Sequence, residues 1–237
     1  MKDNPSAAER IIVAIDETSI DKINWIVKTT SPFITIYKIG SIAFTSFGPK
    51  LIEDLTGRGK EVFLDLKFFD IPNTVYKSVK QAVSYNVKMI TLHALGGHEM
   101  LKKASDANNG KAILLGVTLL TSMDEKQLRD MGMDDDTQAF VSRLARTAVD
   151  AGMNGLVASG RESAKLKKMF GRDITIVVPG VRLPDKSASR DDQKRVVTPK
   201  DAFDAGADYI VVGRPVTESS DPVGAIEAIL KNVKEEK

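Results

Sequence analysis

The sequence predicts an α/β protein that folds as a (β/α)8 TIM barrel, in a single domain over residues 1–237. Eight short runs of β-branched and apolar residues recur along the chain, each followed by a helical pattern. The 237 residues are 42% hydrophobic, and a chain of this length and composition can bury one large barrel core. Length alone also permits two small domains. Residues 1–9 are polar, and we expect them to form a flexible N-terminus.

The eight predicted strands alternate with helical segments, which favours a parallel sheet with right-handed crossovers. They are Arg10–Asp16, Ile34–Gly40, Lys60–Lys67, Lys88–Ala94, Lys111–Thr118, Asn154–Ser159, Ile174–Gly180 and Asp208–Gly213. Eight such units can close into a barrel. The alternative is an open doubly wound sheet, which more often has a glycine-rich loop after its first strand. Here that strand ends in Asp16, Glu17 and Thr18 instead.

Two segments show a clear helical pattern. The first follows the third strand, and four of its apolar residues fall on one face: Val75, Val79, Ala82 and Val83. The second, Ala139–Gly152, is amphipathic and ends at a glycine. Two connections, Met123–Thr137 and Arg182–Thr198, are longer than a barrel turn requires. Their composition fits either functional lids or surface loops without regular structure.

Composition excludes several classes of function. The 34 basic and 32 acidic residues give a net charge of +2, which offers no reason to expect nucleic acid or an anionic membrane as partner. The absence of cysteine excludes disulfides, thiolate chemistry and Cys-ligated zinc. The polar start MKDNPSAAER lacks the core of a signal peptide, and the longest apolar stretch, Ala112–Leu120, is too short to span a bilayer. We therefore expect a cytoplasmic protein.

The third predicted strand and its following loop, DLKFFDIPNT, carry the most informative residues. Active sites of such barrels form at the carboxyl ends of the strands. Asp65 and Lys67 are two apart, so both side chains project into the barrel, and Asp70 follows in the loop. At a separation of about 4 Å, opposite charges attract by roughly 4 kcal/mol at an effective dielectric constant of 20. A structural ion pair that orders the loop would leave the same pattern.

Lys38, near the end of the second strand, favours a functional interpretation. Its ammonium can join Asp65 and Lys67 because the second and third strands are neighbours in a barrel. With Asp70 in the same cluster, the four side chains would form an array of alternating charge. Burying such an array has a large desolvation cost, which is easier to explain at an active site than at a structural one.

The last strand predicts a phosphate site. Gly213 and Arg214 begin the final helical segment, where backbone N–H groups and a guanidinium can hold a phosphate. Arg182 and Gln193 lie in the charged loop after the seventh strand and could close over the same group. The alternative is a glycine turn beside a solvated arginine. His93 could act as a base, but a histidine with a structural hydrogen bond is the favoured interpretation.

At these residues the chain closely resembles the bacterial orotidine 5′-monophosphate decarboxylases. The matching segments occur in the family's order from about residue 10 to 230. They are VAID, YKIG, DLKFFDIPNT, TLHALGG, GVTLLTS, VVPGVR, DDQKRVVTP and GADYIVVGRPVT. The resemblance implies a metal-free and cofactor-free conversion of orotidine 5′-monophosphate to UMP, in the last step of de novo UMP synthesis.

The resemblance also implies roles for the charged residues. Lys67 would donate a proton to ring carbon six after carbon dioxide leaves, and Asp65 would lie beside the substrate carboxylate. Asp70 and Thr74 would reach into the active site of a second subunit, which makes a homodimer with shared sites the expected assembly. Lys38 would belong to the catalytic charge network.

The remaining substrate contacts implied by the resemblance lie around the barrel mouth. Asp16 and Lys38 would hold the ribose hydroxyls, while Thr121 and Ser122 would contact the substrate, with Ser122 near the pyrimidine ring. Four residues would lie on the phosphate side: Arg182, Gln193, Gly213 and Arg214.

Two other functions remain open at this point. A magnesium-dependent sugar-phosphate decarboxylase or aldolase of the same barrel superfamily has a similar DxKxxD pattern, but tends to place a carboxylate where this chain has Lys38. A non-catalytic barrel that binds a phosphate ligand is the alternative outside the enzymes, and it would have no need of a buried charge array.

Overall fold

Eight parallel strands, hydrogen-bonded in chain order, close into a barrel in the computed structural model. It describes residues 6–133, 136–183 and 197–234. The strands are β1 (Ile11–Ile15), β2 (Ile36–Gly40), β3 (Glu61–Phe68), β4 (Met89–His93), β5 (Ile113–Val117), β6 (Gly155–Val157), β7 (Thr175–Val178) and β8 (Tyr209–Val212). Pairing of β1 with both β2 and β8 completes the closure. The predicted (β/α)8 barrel is confirmed, and seven strands lie within their predicted ranges, while β3 extends one residue further.

Helices cover the outside of the barrel between successive strands. Those in the described residues are α1 (Ile20–Thr30), α2 (Ser41–Phe47), α3 (Pro49–Gly57), α4 (Pro72–Ser84), α5 (Gly97–Asn108), α6 (Glu125–Asp130), α7 (Thr137–Asp150), α8 (Gly160–Phe170), α9 (Pro199–Asp204), α10 (Arg214–Thr217) and α11 (Pro222–Lys234). Short 3-10 turns occupy Ala8–Arg10 and Ala94–Gly96. None of the helices in these parts of the chain is long and apolar enough to cross a membrane.

The core has two layers because side chains on a strand alternate between its faces. Residues of β1 such as Ile11 and Val13 point outward and pack with the buried faces of the helices. The inward-facing layer fills the barrel itself and consists of Ile12, Ala14, Ile36, Phe63, Met89, Leu115, Val177 and Val211. This apolar plug closes the barrel below the carboxyl ends of the strands, where the polar residues lie.

Both predicted helical segments are confirmed. All four apolar residues predicted for one face of α4 are buried. Helix α7 ends two residues before Gly152, whose positive φ of 95° suits a glycine. The alternative of a surface loop without regular structure is wrong for part of Met123–Thr137, because α6 lies within it. A capping box between Asp124 and Gln127 begins that helix, and its spacing was visible in the sequence.

The other long connection, Arg182–Thr198, lies largely outside the described residues. At its base Val181 pairs with Val197 in an isolated parallel bridge, and Arg182 N–H donates to the Val197 carbonyl. The N-terminal region is described from Ser6 onward. The assignment of residues 1–237 to one domain stays a prediction.

Candidate active site

Four charged side chains of alternating sign meet where β1, β2 and β3 end. Lys38 Nζ lies 3.1 Å from Asp16 Oδ1 and 3.6 Å from Asp65 Oδ2. Lys67 Nζ lies 2.9 Å from Asp65 Oδ1. Asp65 therefore has an ammonium on each of its oxygens, and Lys38 bridges two carboxylates. We call these four residues the charge array.

The strand register explains why these side chains meet. Ala14 on β1 pairs with Lys38 on β2, and Lys38 pairs with Phe63 on β3, so these residues form one level across the barrel. Asp65 stands two residues beyond Phe63 and pairs with Gly40. A Cβ atom on Gly40 would come within 3.0 Å of both Asp16 Oδ1 and Lys38 Nζ. The missing side chain thus leaves space for the Asp16–Lys38 contact.

Asp65 has a shifted pKa, and its surroundings explain the direction of the shift. Its side chain is 13% exposed, and burial by itself raises the pKa of a carboxyl group. The positive charges of Lys38 and Lys67, with hydrogen bonds from Lys67 and Thr91, oppose that effect and hold the pKa of Asp65 below its ordinary value. Asp65 is consequently ionised at neutral pH.

The backbone of β3 is irregular at the same point. Leu64 pairs with Ile90 and Phe68 with Leu92, and Lys67 has a positive φ of 48°. Few non-glycine residues adopt this conformation, and it costs roughly 1–3 kcal/mol. The sequence pattern correctly placed Lys67 on the inner face, but it gave no sign of this backbone conformation.

Thr91 is a site residue that sequence reasoning missed. It lies on β4, is fully buried, accepts a hydrogen bond from Lys67 N–H at 2.8 Å and donates one to Asp65 Oδ1 at 3.0 Å. Its signal in the sequence was a polar residue within the apolar run MITLH. Threonine is common in strands, so that signal by itself is weak.

A cavity of about 550 Å³ opens above the array at the carboxyl ends of the strands. One side is charged, and the other is apolar with walls from Val117, Val157, Val177 and Val211. Nine predicted site residues line this cavity: Asp16, Lys38, Asp65, Lys67, Thr121, Ser122, Arg182, Gly213 and Arg214. The volume lies in the range of small-molecule sites.

Asp70 does not join the charged cluster as the sequence predicted, since Asp16 pairs with Lys38 instead. Neither Asp70 nor Thr74 lines the cavity of its own barrel. Asp70 and Thr74 are both exposed, and the Asp70 carboxylate accepts the neighbouring Ile71 N–H at 2.6 Å. Phe69 and Ile71, on either side of Asp70, are 61% and 67% exposed. Gln193 lies outside the described residues.

His93 has contacts that fit a structural role. Its Nδ1 accepts a hydrogen bond from Leu95 N–H at 3.4 Å, and its ring lies against Phe69, with 5.8 Å between ring centroids. Burial, together with the nearby charge of Lys67, holds the pKa of His93 below its ordinary value. These contacts favour the prediction of a structural histidine over that of a base.

A larger and more open groove, of about 1100 Å³, lies at the opposite end of the barrel. Two of the lysines that line it have partners. Lys88 forms an ion pair with Glu61, and Lys60 Nζ donates to the carbonyls of Ser31 and Ile34. This is the amino-terminal end of the strands, where polar residues serve stability. None of the predicted site residues lies there.

The chain is similar to known proteins over almost its whole length. The model of the orotidine 5′-phosphate decarboxylase / HUMPS family matches residues 9–229. The chain belongs to this family. Its members include the orotidine 5′-phosphate decarboxylase of Coxiella burnetii, which is 40% identical to this chain over 230 residues, covering 95% of this chain and 97% of the relative.

Further relatives span the same region. The orotidine 5′-phosphate decarboxylase of Geobacter metallireducens is 42% identical over 233 residues, covering 96% of this chain and 97% of its own. The crystal structure of orotidine 5′-phosphate decarboxylase from Lactobacillus acidophilus superimposes with a TM-score of 0.83 at 34% identity. That match covers 96% of this chain and all of the solved chain. Family membership therefore extends over essentially the whole barrel.

Proposed function

We propose that this protein decarboxylates orotidine 5′-monophosphate to UMP and carbon dioxide, the last step of de novo pyrimidine synthesis. The observation that carries the proposal is the charge array of Asp16, Lys38, Asp65 and Lys67 at the mouth of a barrel of this family. Lys38 and Asp65 at its centre are largely buried, at 12% and 13% exposure, while Asp16 and Lys67 reach the solvent side of the cavity. Burying the central charges is costly, and an active site accounts for their presence.

Lys67 is the proton donor in this proposal. When the bond between ring carbon six and the carboxylate breaks, carbon dioxide leaves and the electron pair stays on carbon six in the plane of the ring. The Lys67 ammonium then transfers a proton to that carbon, and solvent later restores the proton on Lys67. The contact with Asp65 holds this ammonium in place before the charge develops.

Asp65 has two effects in the same step. It orients Lys67, and its ionised carboxylate lies beside the position that we assign to the substrate carboxylate. The two negative charges repel each other in the bound substrate, and that repulsion disappears when carbon dioxide leaves. The lowered pKa of Asp65 keeps it charged for this purpose.

The rest of the cavity accommodates the nucleotide. We assign the ribose hydroxyls to Asp16 and Lys38, and the pyrimidine ring to the side of Thr121 and Ser122. The phosphate is assigned to the opposite part of the mouth, where Arg182, Gly213 and Arg214 follow β7 and β8. Guanidinium groups suit a phosphate because they donate two parallel hydrogen bonds to it. Gln193 is proposed as a further phosphate ligand.

The proposed reaction uses no metal and no organic cofactor. Lys38 lies within 3.6 Å of both Asp16 and Asp65, so its ammonium already neutralises the carboxylates that a magnesium ion would need. This arrangement favours the decarboxylase over a magnesium-dependent sugar-phosphate enzyme. Phosphate binding at the mouth supplies binding energy that can hold the ring against the charge array.

We also propose that two copies of the chain assemble with shared active sites. Asp70 and Thr74 do not line the cavity of their own barrel, and Asp70 stands between the exposed side chains of Phe69 and Ile71. Large exposed apolar residues often mark an interface. A partner barrel that covers them would receive Asp70 and Thr74 at its own mouth. The proposed location is the cytoplasm, as the cysteine-free sequence permits.

The proposal is tested by following the loss of orotidine 5′-monophosphate absorbance in the presence of EDTA. We expect wild type to turn over, and Lys67→Ala to lose about 10²–10⁴-fold in kcat, the typical contribution of a positioned proton donor. Lys126→Ala is the matched control, since Lys126 forms a surface ion pair with Asp130 and its side chain is 77% exposed. Equal rates for wild type and Lys67→Ala would overturn the mechanism, and turnover only with added magnesium would favour the sugar-phosphate alternative.

A further inference from the structure

The fully buried hydroxyl of Thr91 makes two hydrogen bonds to the proposed catalytic segment of β3. It accepts the Lys67 backbone N–H at 2.8 Å, and it donates to Asp65 Oδ1 at 3.0 Å. Thr91 does not line the cavity. It therefore contacts both ends of the Asp65–Lys67 segment without access to a bound substrate.

The irregular pairing of β3 with β4 explains the need for this hydroxyl. The ladder pairs Leu64 with Ile90 and Phe68 with Leu92, so residues 65–67 of β3 lie opposite Thr91 alone. The Lys67 N–H in this bulge bonds to a side chain of β4. A buried N–H without any acceptor would destabilise the fold.

The hydroxyl can make these bonds in only one orientation. A backbone N–H can only donate, so the Thr91 oxygen must accept from Lys67. Its single hydrogen is then free to point at Asp65. Asp65 Oδ1 also receives the Lys67 ammonium at 2.9 Å. One oxygen of Asp65 is thus fixed from two directions, by β4 and by the end of the Lys67 side chain.

We propose that Thr91 is a positioning residue, which holds the Lys67 backbone in its left-handed conformation and fixes the Asp65 carboxylate against the Lys67 ammonium. This inference rests on the proposed function, since it assigns Thr91 a task in that reaction. The left-handed conformation is strained for lysine and persists only where surrounding contacts determine it. Thr91 supplies such a contact at the residue whose ammonium must reach ring carbon six.

The test compares Thr91→Val, which has the same shape without the hydroxyl, with Thr91→Ser, which keeps it. For Thr91→Val we expect kcat to fall about 10–100-fold with KM within about threefold of wild type, the pattern of an interaction that matters in the transition state. Thr91→Ser is expected to keep kcat within about threefold of wild type. Thr91→Ala is a second variant without the hydroxyl, in case the buried valine prevents folding.

The pH profile supplies a readout that a merely structural role would not move. Thr91 donates to the Asp65 carboxylate and so lowers the pKa of Asp65. Loss of that donor raises the pKa of Asp65, and the acid limb of kcat/KM should move to higher pH in Thr91→Val but not in Thr91→Ser.

The matched control is Thr30→Val. Thr30 is a fully buried threonine that does not line the cavity, and its hydroxyl bonds to Tyr37 at 2.7 Å. Thr30→Val should lose stability and keep the wild-type profile.

Amide hydrogen exchange at Lys67, measured by NMR without substrate, tests the contact itself and is expected to accelerate in Thr91→Val. The inference would be overturned if wild type is active and Thr91→Val has the same kcat, and the same acid limb of kcat/KM, as wild type. An equal loss in Thr91→Ser and Thr91→Val would also overturn it, because packing and not the hydroxyl would then matter. If the wild-type protein does not convert orotidine 5′-monophosphate, the proposed function is overturned instead.

Discussion

Lys67 has a backbone conformation that few lysines adopt, and the contacts around it explain how that conformation persists. Its φ of 48° is strained, but Thr91 holds its N–H and Asp65 holds its ammonium. Strain of about 1–3 kcal/mol is often found where a residue must be aimed for function. The residue with the least ordinary backbone in β3 is therefore the one that we assign to proton transfer.

Gly40 offers a test of the charge array at a residue that carries no charge itself. In Gly40→Ala the new Cβ would lie 3.0 Å from Asp16 Oδ1 and from Lys38 Nζ, so each of these atoms must move away from it by a few tenths of an ångström. Both atoms end flexible side chains, and the fold should survive. Because small displacements of positioned groups are costly to catalysis, we expect kcat/KM to fall about tenfold, measured as loss of orotidine 5′-monophosphate absorbance.

Gly57→Ala is the matched control for that substitution. Gly57 ends α3, is exposed, and has no atom within 4 Å of where its Cβ would lie. Its alanine variant should keep wild-type activity and have equal or slightly higher thermal stability. Wild-type kcat/KM in Gly40→Ala would mean that the Asp16–Lys38 contact tolerates movement, and that Asp16 and Lys38 are not held in a fixed arrangement.

At the scale of elements, the strands could be predicted because a parallel barrel needs short apolar runs, and these stand out from the amphipathic helices. The Asp124–Gln127 capping box, with its two residues three positions apart, lay in a charged segment. Helix α6 was missed because it is only six residues long. Period-two spacing correctly put Asp65 and Lys67 on one face. It could not reveal the register shift between β3 and β4, because that shift depends on pairing between strands and not on spacing within one.

The packing of α7 on β5 gives a test of how tightly the barrel holds its helices. A Cβ on Gly116 of β5 would lie 2.7 Å from the Cβ of Ala148 on α7. Neither atom can rotate away, so Gly116→Ala must displace the helix from the sheet. We expect the free energy of unfolding to fall by about 1–3 kcal/mol, as overpacked cores show. Chemical denaturation measures this change.

A double-mutant cycle separates this clash from any other effect of the substitution. Ala148→Gly removes the methyl group that the new alanine would meet, at a cost of about 1 kcal/mol in helix propensity. The double variant should then be more stable than the sum of the two single changes predicts. Additive losses would show that Gly116 is needed for its backbone freedom and not for the close approach of α7.

The whole barrel divides its chemistry between two sides. The strands β1 to β4 contribute the charge array and Thr91, whereas the opposite wall of the cavity is built from valines of β5 to β8. One chain leaves Asp70 and Thr74 outside this cavity. Sequence could place Asp70 in the loop after β3, and Thr74 lies in the first turn of α4. Which barrel these two residues serve depends on how the chains assemble.

Mixed dimers test whether the sites are shared. Homodimers of Lys67→Ala and of Asp70→Ala should both be nearly inactive. The two chains are then co-expressed with different tags, and the heterodimer is isolated. If the sites are shared, one of its two sites has Lys67 from the Asp70→Ala chain and Asp70 from the Lys67→Ala chain, so that site contains neither substitution. We expect this heterodimer to have about half of the wild-type decarboxylase activity, because a two-fold dimer has two equivalent sites.

The heterodimer of Lys67→Ala with Asp65→Ala is the control, since both residues belong to one barrel and neither site is restored. An inactive Lys67→Ala/Asp70→Ala heterodimer would place Asp70 in the site of its own chain.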